Sequence, residues 1–395
     1  IQYSHPPPAS ITHIFSIGSC GTTSTDGVNT YQNSFSANML VENPCGTSGS
    51  TILPIVVSLA GSTDFTISPS DTACVNTTVT FTSTSIGNEV QGNSCDITPA
   101  LLWSITPAAG WSTGGTLGND NGFTGANYDP SSWISGSTSL GVNFTTPGFY
   151  TIRLISGNSC GGDTLSRTVC IEQPPVPSFT LLPAPLCAPY APVNTNTSVF
   201  GQNCQITHQW TVNGVASVCG GPAWNLTSGT LTSLQPQFAF TLPGTYTVQY
   251  QAINTCNVPP VQQVFSIASP PQVSINPLSG ICATQCVNPS AVVQNCGSPI
   301  TTYAWSFPGG TPANSAAASP GSICFNSAGS PTLSVTVTNA CGNATANANL
   351  AIGTLPPLPV IASNSPVCAG QTLSLSATPI PGVTFQWTNP QGTVI

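Results

Sequence analysis

Cysteine, histidine and paired carboxylates are the residues of this chain that could do chemistry, and their spacing assigns most of them to structure. The sixteen cysteines contain no Cys-x-x-Cys pair and there are only three histidines, so a zinc site is not expected. Their recurring spacings suit a disulfide framework made in an oxidising compartment. His13 and His208 hold the same place in ITHIF and ITHQW, which marks them as repeated structural positions, whereas His5 in HPPPAS has no register. No His-Glu-x-x-His run and no Gly-x-Ser-x-Gly elbow occurs. Glycoside cleavage needs two acids across one cleft, and ten acids are spread along the whole chain. Asp120 and Asp129 are acids of the calcium-binding kind but lack an EF-type loop. No enzyme, no metal and no cofactor is expected.

Two further groups could meet sugar. Between residues 110 and 133 the stretch GWSTGGTLGNDNGFTGANYDPSSW sets Trp111, Phe123, Tyr128 and Trp133 among glycines and amides. Such rings stack on sugars while amides bond the hydroxyls. The same composition suits a decorated loop whose aromatics pack on their own domain, and that reading is preferred. Asn-x-Ser/Thr sites at Asn76, Asn143, Asn196, Asn225 and Asn343 are what a chain rich in Thr and Asn produces by chance.

The elements that position these residues show themselves as a repeat. Asn-x-Cys occurs at Asn43-Pro44-Cys45, Asn158-Ser159-Cys160, Asn254-Thr255-Cys256 and Asn339-Ala340-Cys341, the cysteines following one another at gaps of 115, 96 and 85. A second series, Cys74, Cys187, Cys282 and Cys368, has gaps of 113, 95 and 86. Two landmarks that stretch and shrink together indicate tandem units with loops of variable length. A third landmark is a cysteine shortly before an aromatic strand: Cys95 before LLWSI, Cys204 before ITHQWTV and Cys296 before TTYAWSF. In the first unit ITHIFSI, residues 11–17, puts Phe15 in the place of Trp210. The first and last units each hold only part of this pattern, so the sequence reads as a segment of a longer array.

Within a unit the residues alternate with period two and favour Thr, Val, Ile and Tyr, as in FTISPS, TVTFTST, LLWSI, VNFTT, FYTIRLIS and SRTVCIE. Six or seven short strands around a central Trp predict an all-β chain, a tandem, elongated array of immunoglobulin-like or PKD-like β-sandwiches tied by disulfides. The expected domains are 1–60 (the later part of one), 61–174 with the long inserted loop, 175–270, 271–355, and 356–395 (the opening part of another). Pro-Gly-x-Tyr, at 147–150 and 243–246, sits eight residues before the Asn, where a tyrosine corner belongs; Phe35 and Pro331 replace the tyrosine elsewhere. GTYTVQYQAIN then reads as strand F and Asn-x-Cys as the turn from F to G. That turn shares an end of the sandwich with the B-to-C turn, which predicts bonds within each unit: Cys95–Cys160, Cys204–Cys256 and Cys296–Cys341. At the other end, Cys74 is expected to reach Cys170 and Cys187 to reach Cys219. Cys282, Cys286 and Cys324 compete for one bond. Proline-rich joints, EQPPVPSF, ASPPQVSI and TLPPLPVI, favour extended, semi-rigid spacers, so a rod is expected.

Composition narrows the partners. The chain of 395 residues has two basic residues, Arg153 and Arg167, and a net charge of -8. Nucleic acid, held by neutralising phosphates, is excluded as a partner class, and an anionic membrane surface is disfavoured. No apolar run reaches the length of a membrane span, and residues 1–20 lack a signal-peptide pattern. With 3% charged residues, solubility rests on Thr, Ser, Asn, Gln and attached sugar.

Pro-Gly-x-Tyr followed by TVQYQAIN, the run TLSVTVTNACGNATANANLAIG at 332–353, and NSPVCAGQTLSLSATPIPGVTFQWTNPQG at 364–392 resemble the PKD-type and immunoglobulin-like repeats of very long, type IX-secreted Bacteroidetes adhesins, the SprB-like gliding-motility adhesins among them. WSITPAAG, WTVNGVAS and WSFPGGTP depart from the acidic, Gly-rich turn usual after the PKD tryptophan, and any role tied to that turn is not carried over. The resemblance implies a secreted, cell-surface, non-catalytic stalk with adhesive repeats, secretion and anchoring machinery as partners, and surface polysaccharide or another surface as ligand. Asp71-Thr72-Ala73 and Asp163-Thr164-Leu165 resemble the O-glycosylation acceptor of the same group, which makes Thr72 and Thr164 glycan sites by analogy. Competing readings are a filament or sheath subunit that self-associates along strand edges, and an accessory carbohydrate-binding region of a secreted enzyme.

Overall fold

In the computed structural model the described residues are 10–49, 52–122, 130–181 and 186–394. Among them the regular structure is β apart from one short 3-10 turn, Pro130–Ser132. Three separate hydrophobic cores lie along the chain, centred on Trp103, Trp210 and Trp305.

The module around Trp103 shows how alternation builds a core. One sheet runs Ala100–Thr106, Gly148–Asn158, Gly161–Glu172, Thr72–Cys74, and the facing sheet runs Trp111–Thr113, Ser139–Phe144, Thr78–Ser83, Phe65–Ser68. Every second residue points inward: Val79 and Phe81, Leu101, Trp103 and Ile105, Leu140, Val142 and Phe144, Tyr150, Ile152 and Leu154 are all buried. Each tryptophan also satisfies its indole N–H. Trp103 donates to the Ser137 carbonyl at 2.8 Å, Trp210 to Ser233 at 3.0 Å and Trp305 to Ala317 at 3.1 Å. This repeated bond lets a large ring be buried without an orphan donor.

The other two modules vary this plan. Around Trp210, Thr207–Ala216, Gly244–Ile253 and Val261–Ile267 form a three-stranded sheet, opposed by the pairs Trp224–Ser228 with Gln237–Phe240 and Phe179–Leu181 with Asn194–Asn196. Around Trp305, the sheet is Asn314–Ser315, Ile300–Ser306, Thr332–Asn339, Gly342–Asn349. One feature recurs in all three. A short stretch near the start of the module lies parallel to the end of its last strand: Thr72–Cys74 beside Cys170–Glu172, Cys187 beside Ala268, and Ile281–Cys282 beside Ile352–Gly353.

The corner tyrosines are present where the sequence puts them. Tyr150 donates to the Thr146 carbonyl at 2.9 Å and lies 3.2 Å from the Gly110 carbonyl. Tyr246 lies 2.7 Å from the Leu242 carbonyl and 3.1 Å from that of Ala223, and accepts from the Ala223 N–H at 3.0 Å. Both rings are buried, and burial raises the Tyr150 pKa.

Two expected strands do not form. Residues 11–17 and 385–388, the counterparts of the tryptophan strands, run without a strand ladder. Among the described residues Leu40–Asn43 pairs with Gly46–Gly49, and no strand pairs with the ITHIFSI stretch. Phe15 instead stacks on Phe35 at 5.2 Å. A strand is defined by its partner, and alternation alone does not supply one.

Replacing Tyr246 by Phe removes the corner bonds and leaves the Ala223 backbone short of a partner. The expected loss is about 1–3 kcal/mol of stability in that module, read by denaturant unfolding followed through tryptophan fluorescence; an unchanged midpoint would contradict the role given to the corner.

Candidate functional site

The residues with a repeated, non-core role gather at the ends of the modules. Asn-x-Cys forms the same turn four times, because the Asn side-chain oxygen accepts the N–H of the cysteine two residues on: Asn43 to Cys45 at 2.8 Å, Asn158 to Cys160 at 2.9 Å, Asn254 to Cys256 at 3.0 Å and Asn339 to Cys341 at 2.8 Å. The residue that follows has positive φ, supplied by Gly46, Gly161 and Gly342 or by Asn257.

The other end of the same amide makes the turn functional. The Asn254 side-chain N–H₂ reaches the Gln173 carbonyl at 2.9 Å, in the linker from the preceding module, and the Asn203 side chain at 2.6 Å. Asn339 does the same to the Ser269 carbonyl at 2.8 Å and the Asn295 carbonyl at 3.1 Å. Asn158 does so to the Leu59 carbonyl at 2.8 Å and to Gly87. The turn from F to G is therefore the socket that receives the incoming chain.

The disulfides follow from this polarity: they overturn the five pairings named from sequence, and of the three cysteines left competing for one bond Cys286 and Cys324 form it. The bonds are Cys20–Cys95, Cys74–Cys256, Cys170–Cys204, Cys187–Cys341, Cys219–Cys296 and Cys286–Cys324. Only Cys286–Cys324 lies within a module, its two residues facing each other in register on Gln285–Val287 and Ile323–Phe325. Cys95–Cys160, Cys204–Cys256 and Cys296–Cys341 do not form, although each pair does share an end of its sandwich. That end is the one at which the previous module docks, and five of these six cysteines bond a thiol across the joint while Cys160 is left free. Cys74 and Cys170 do not pair because Cys170 stands opposite Thr72 in the parallel ladder, while Cys74 stands opposite Glu172. Cys187 and Cys219 likewise part, going to Cys341 and Cys296. Cys45, Cys160, Cys282 and Cys368 are unpaired.

Each joint between the modules with complete cores is thus closed twice. In the first, Cα–Cα distances are 4.9 Å for Cys74–Cys256 and 6.2 Å for Cys170–Cys204. In the second they are 5.4 Å for Cys187–Cys341 and 5.2 Å for Cys219–Cys296. Two tie points leave one rotation, about the line joining them, and hydrogen bonds across the joint oppose it.

Glu172 supplies most of those bonds at the first joint, a role that its place in EQPP gave no sign of. It is 1% exposed. It accepts from the backbone N–H groups of Cys204 at 3.0 Å, Gln205 at 3.3 Å and Thr255 at 2.9 Å, and from the Thr255 hydroxyl. One carboxylate so bridges the turn beside Cys204 and the turn beside Cys256. Burial works against its charge, but the Thr255, Cys204 and Gln205 donors outweigh that and the pKa is lowered.

The remaining candidate residues do not converge. Trp133 is buried, and Trp111 is half-buried against the first core with its indole N–H on the Pro107 carbonyl at 2.9 Å. Phe123, Tyr128 and Asp129 lie outside the described residues. Thr164 is exposed and Thr72 is half-buried beside Cys170. His208 contacts the Tyr250 hydroxyl through Nδ1 at 2.9 Å, and burial lowers its pKa; His13 lies edge-on to Phe15 at 4.7 Å. Among the described residues no group of three His, Cys, Asp or Glu comes together to hold a metal ion, and no helix is long and apolar enough to cross a membrane.

Removing the Glu172 charge should loosen the first joint. Glu172→Gln is expected to cost about 1.5–3 kcal/mol at neutral pH, the range for hydrogen bonds to a charged group, measured by thermal or denaturant unfolding. Because the folded pKa is lowered, this contribution is full above the usual glutamate range near pH 4.3 and fades as pH falls through the folded value. The gap between parent and variant should therefore shrink below about pH 4; a gap independent of pH would remove the carboxylate from the joint.

Residues 277–352 match the PKD domain family. No curated protein matches the chain. Solved structures that resemble it include an I-band fragment of titin, 13% identical over 75% of this chain and 99% of that one with a TM-score of 0.40. Others are the N-terminal four Ig domains of Dscam1 isoform 6.9, 13% identical over 84% and 87% with a TM-score of 0.26, and the insect immune protein hemolin, 13% identical over 82% and 83% with a TM-score of 0.27. With a PKD-domain match at 277–352 and tryptophan-centred sandwiches on either side of each double disulfide, the chain is a tandem array of disulfide-tied β-sandwich modules.

Proposed function

We propose that this chain is a non-catalytic stalk segment of a secreted, surface-displayed adhesin, whose modules hold an adhesive region at a fixed distance and angle from the cell. The observation that carries the reading is the double disulfide at each of two successive joints. Domains joined by a short linker move against one another unless a large apolar interface holds them. Here covalent ties replace that interface, which is of use to a protein that must transmit force or keep its reach, and of little use to an enzyme that closes on a substrate.

A chain with two basic residues and 3% charge presents neutral hydroxyls and amides to its surroundings, a surface that suits contact with polysaccharide or another neutral surface, spread over the array. Display through the type IX route, a part in gliding motility, and glycans on Thr72 and Thr164 belong to the same reading; they rest on the sequence resemblance.

Cutting both bonds of one joint tests the mechanical core of the proposal. With Cys74→Ser and Cys170→Ser together, negative-stain images of the full chain should change from one bend angle at that joint to a broad range, while either single variant keeps most of the order. A parent protein whose joints already bend freely would overturn the stalk.

A further inference from the structure

The unpaired thiols are not scattered. Cys282 occupies the position of Cys74 and Cys187: all three lie on the short stretch that runs parallel to the end of the module's last strand, opposite Gly353, Glu172 and Ala268 respectively. Cys74 and Cys187 each bond the Asn-x-Cys cysteine of the next module. Cys368 follows Cys282 by 86 residues, the spacing of that series. Cys160 and Cys45 occupy the position of Cys256 and Cys341, in turns closed by the same Asn side chain. The Asn158 amide already grips the incoming linker at Leu59, yet the Cys160 thiol beside it has no partner. Two complete joints therefore serve as internal templates, and the four free cysteines are the matching halves of others: Cys282 and Cys368 on the outgoing side, Cys45 and Cys160 on the receiving side.

We infer that Cys282 bonds the Asn-x-Cys cysteine of a further sandwich module and that Cys160 bonds the cysteine of such a module's first short strand, so that the covalent ladder extends beyond the bonds formed within this chain. Cys368 and Cys45 take the same two kinds of partner. In each new bond two thiols lose two protons and two electrons as one S–S bond forms. The electrons pass to the disulfide of a thiol–disulfide oxidoreductase, which becomes a dithiol. The supplying module is carried either by the same polypeptide or by a second one, and the joint chemistry is the same for both. The inference rests on the joint and stands whether or not the array is adhesive.

The test is to take the protein from the cells that make it, block free thiols with iodoacetamide during lysis, and map disulfide-linked peptides without reduction. Pepsin replaces trypsin, since the only basic residues are Arg153 and Arg167. The expected result is Cys282 linked to an Asn-x-Cys peptide, and Cys160 linked to a cysteine peptide from outside residues 1–395. A gel band that falls in mass on reduction assigns the partner to a second chain, and an unchanged band assigns it to the same one. Cys160 and Cys282 found alkylated, capped by a small thiol, or joined to each other in a band that stays unchanged on reduction would overturn the inference. As a second reading, Cys160→Ser should expose one newly alkylated cysteine in the partner peptide; no gain in alkylation would also overturn it.

Discussion

The structure depends on disulfides that cross between modules in place of holding each module together. A β-sandwich with a buried tryptophan and a packed aromatic core, such as that around Trp210, Phe238, Phe240 and Tyr250, has apolar burial of its own to stand on. Covalent bonds within it would add stability to something already closed. Placed between modules, the same bonds act on the weakest degree of freedom in the chain, the angle at each linker. Chain-entropy reasoning puts the effect of a 34-residue closure such as Cys170–Cys204 at about 4 kcal/mol, and the geometric effect is larger than the energetic one, because a second bond at the same joint removes most of the hinge.

The polar chemistry at the joints is built for the same end. A chain nearly without cations cannot hold a junction by salt bridges, and its one ion pair among the described residues, Arg167 with Asp64 at 2.9 Å, is exposed and worth little. Asn158, Asn254 and Asn339 do the work with neutral groups, one end of the amide fixing its own turn and the other gripping the preceding linker. Glu172 is the exception. Its buried charge is held by backbone and hydroxyl donors from two separate turns of the next module, so the anion organises the loops that carry Cys204 and Cys256.

Variation between joints follows from where the second cysteine can be recruited. The receiving cysteine is always the one before the tryptophan strand or its counterpart, Cys95, Cys204 or Cys296. The outgoing one comes from the last strand in Cys170, but from beyond the tryptophan strand in Cys219 and from the corresponding region in Cys20. The module around Trp305 uses its extra pair, Cys286 and Cys324, internally.

The sequence by itself determined the repeat, the all-β class, the tryptophan centres, the corner tyrosines and the Asn-x-Cys turns, because each of these is set by residues within one module and by a period of two. Local patterning also located which cysteines share an end of a sandwich. Only the tertiary structure decided the bonds, since the choice of partner depends on which end of one module meets which end of the next. It likewise revealed Glu172, whose donors lie 32 to 83 residues away, and showed that ITHIFSI and FQWT lack a strand partner. Spacing along a chain records what recurs; what touches across a joint is a matter of how two separately folded bodies are set against each other.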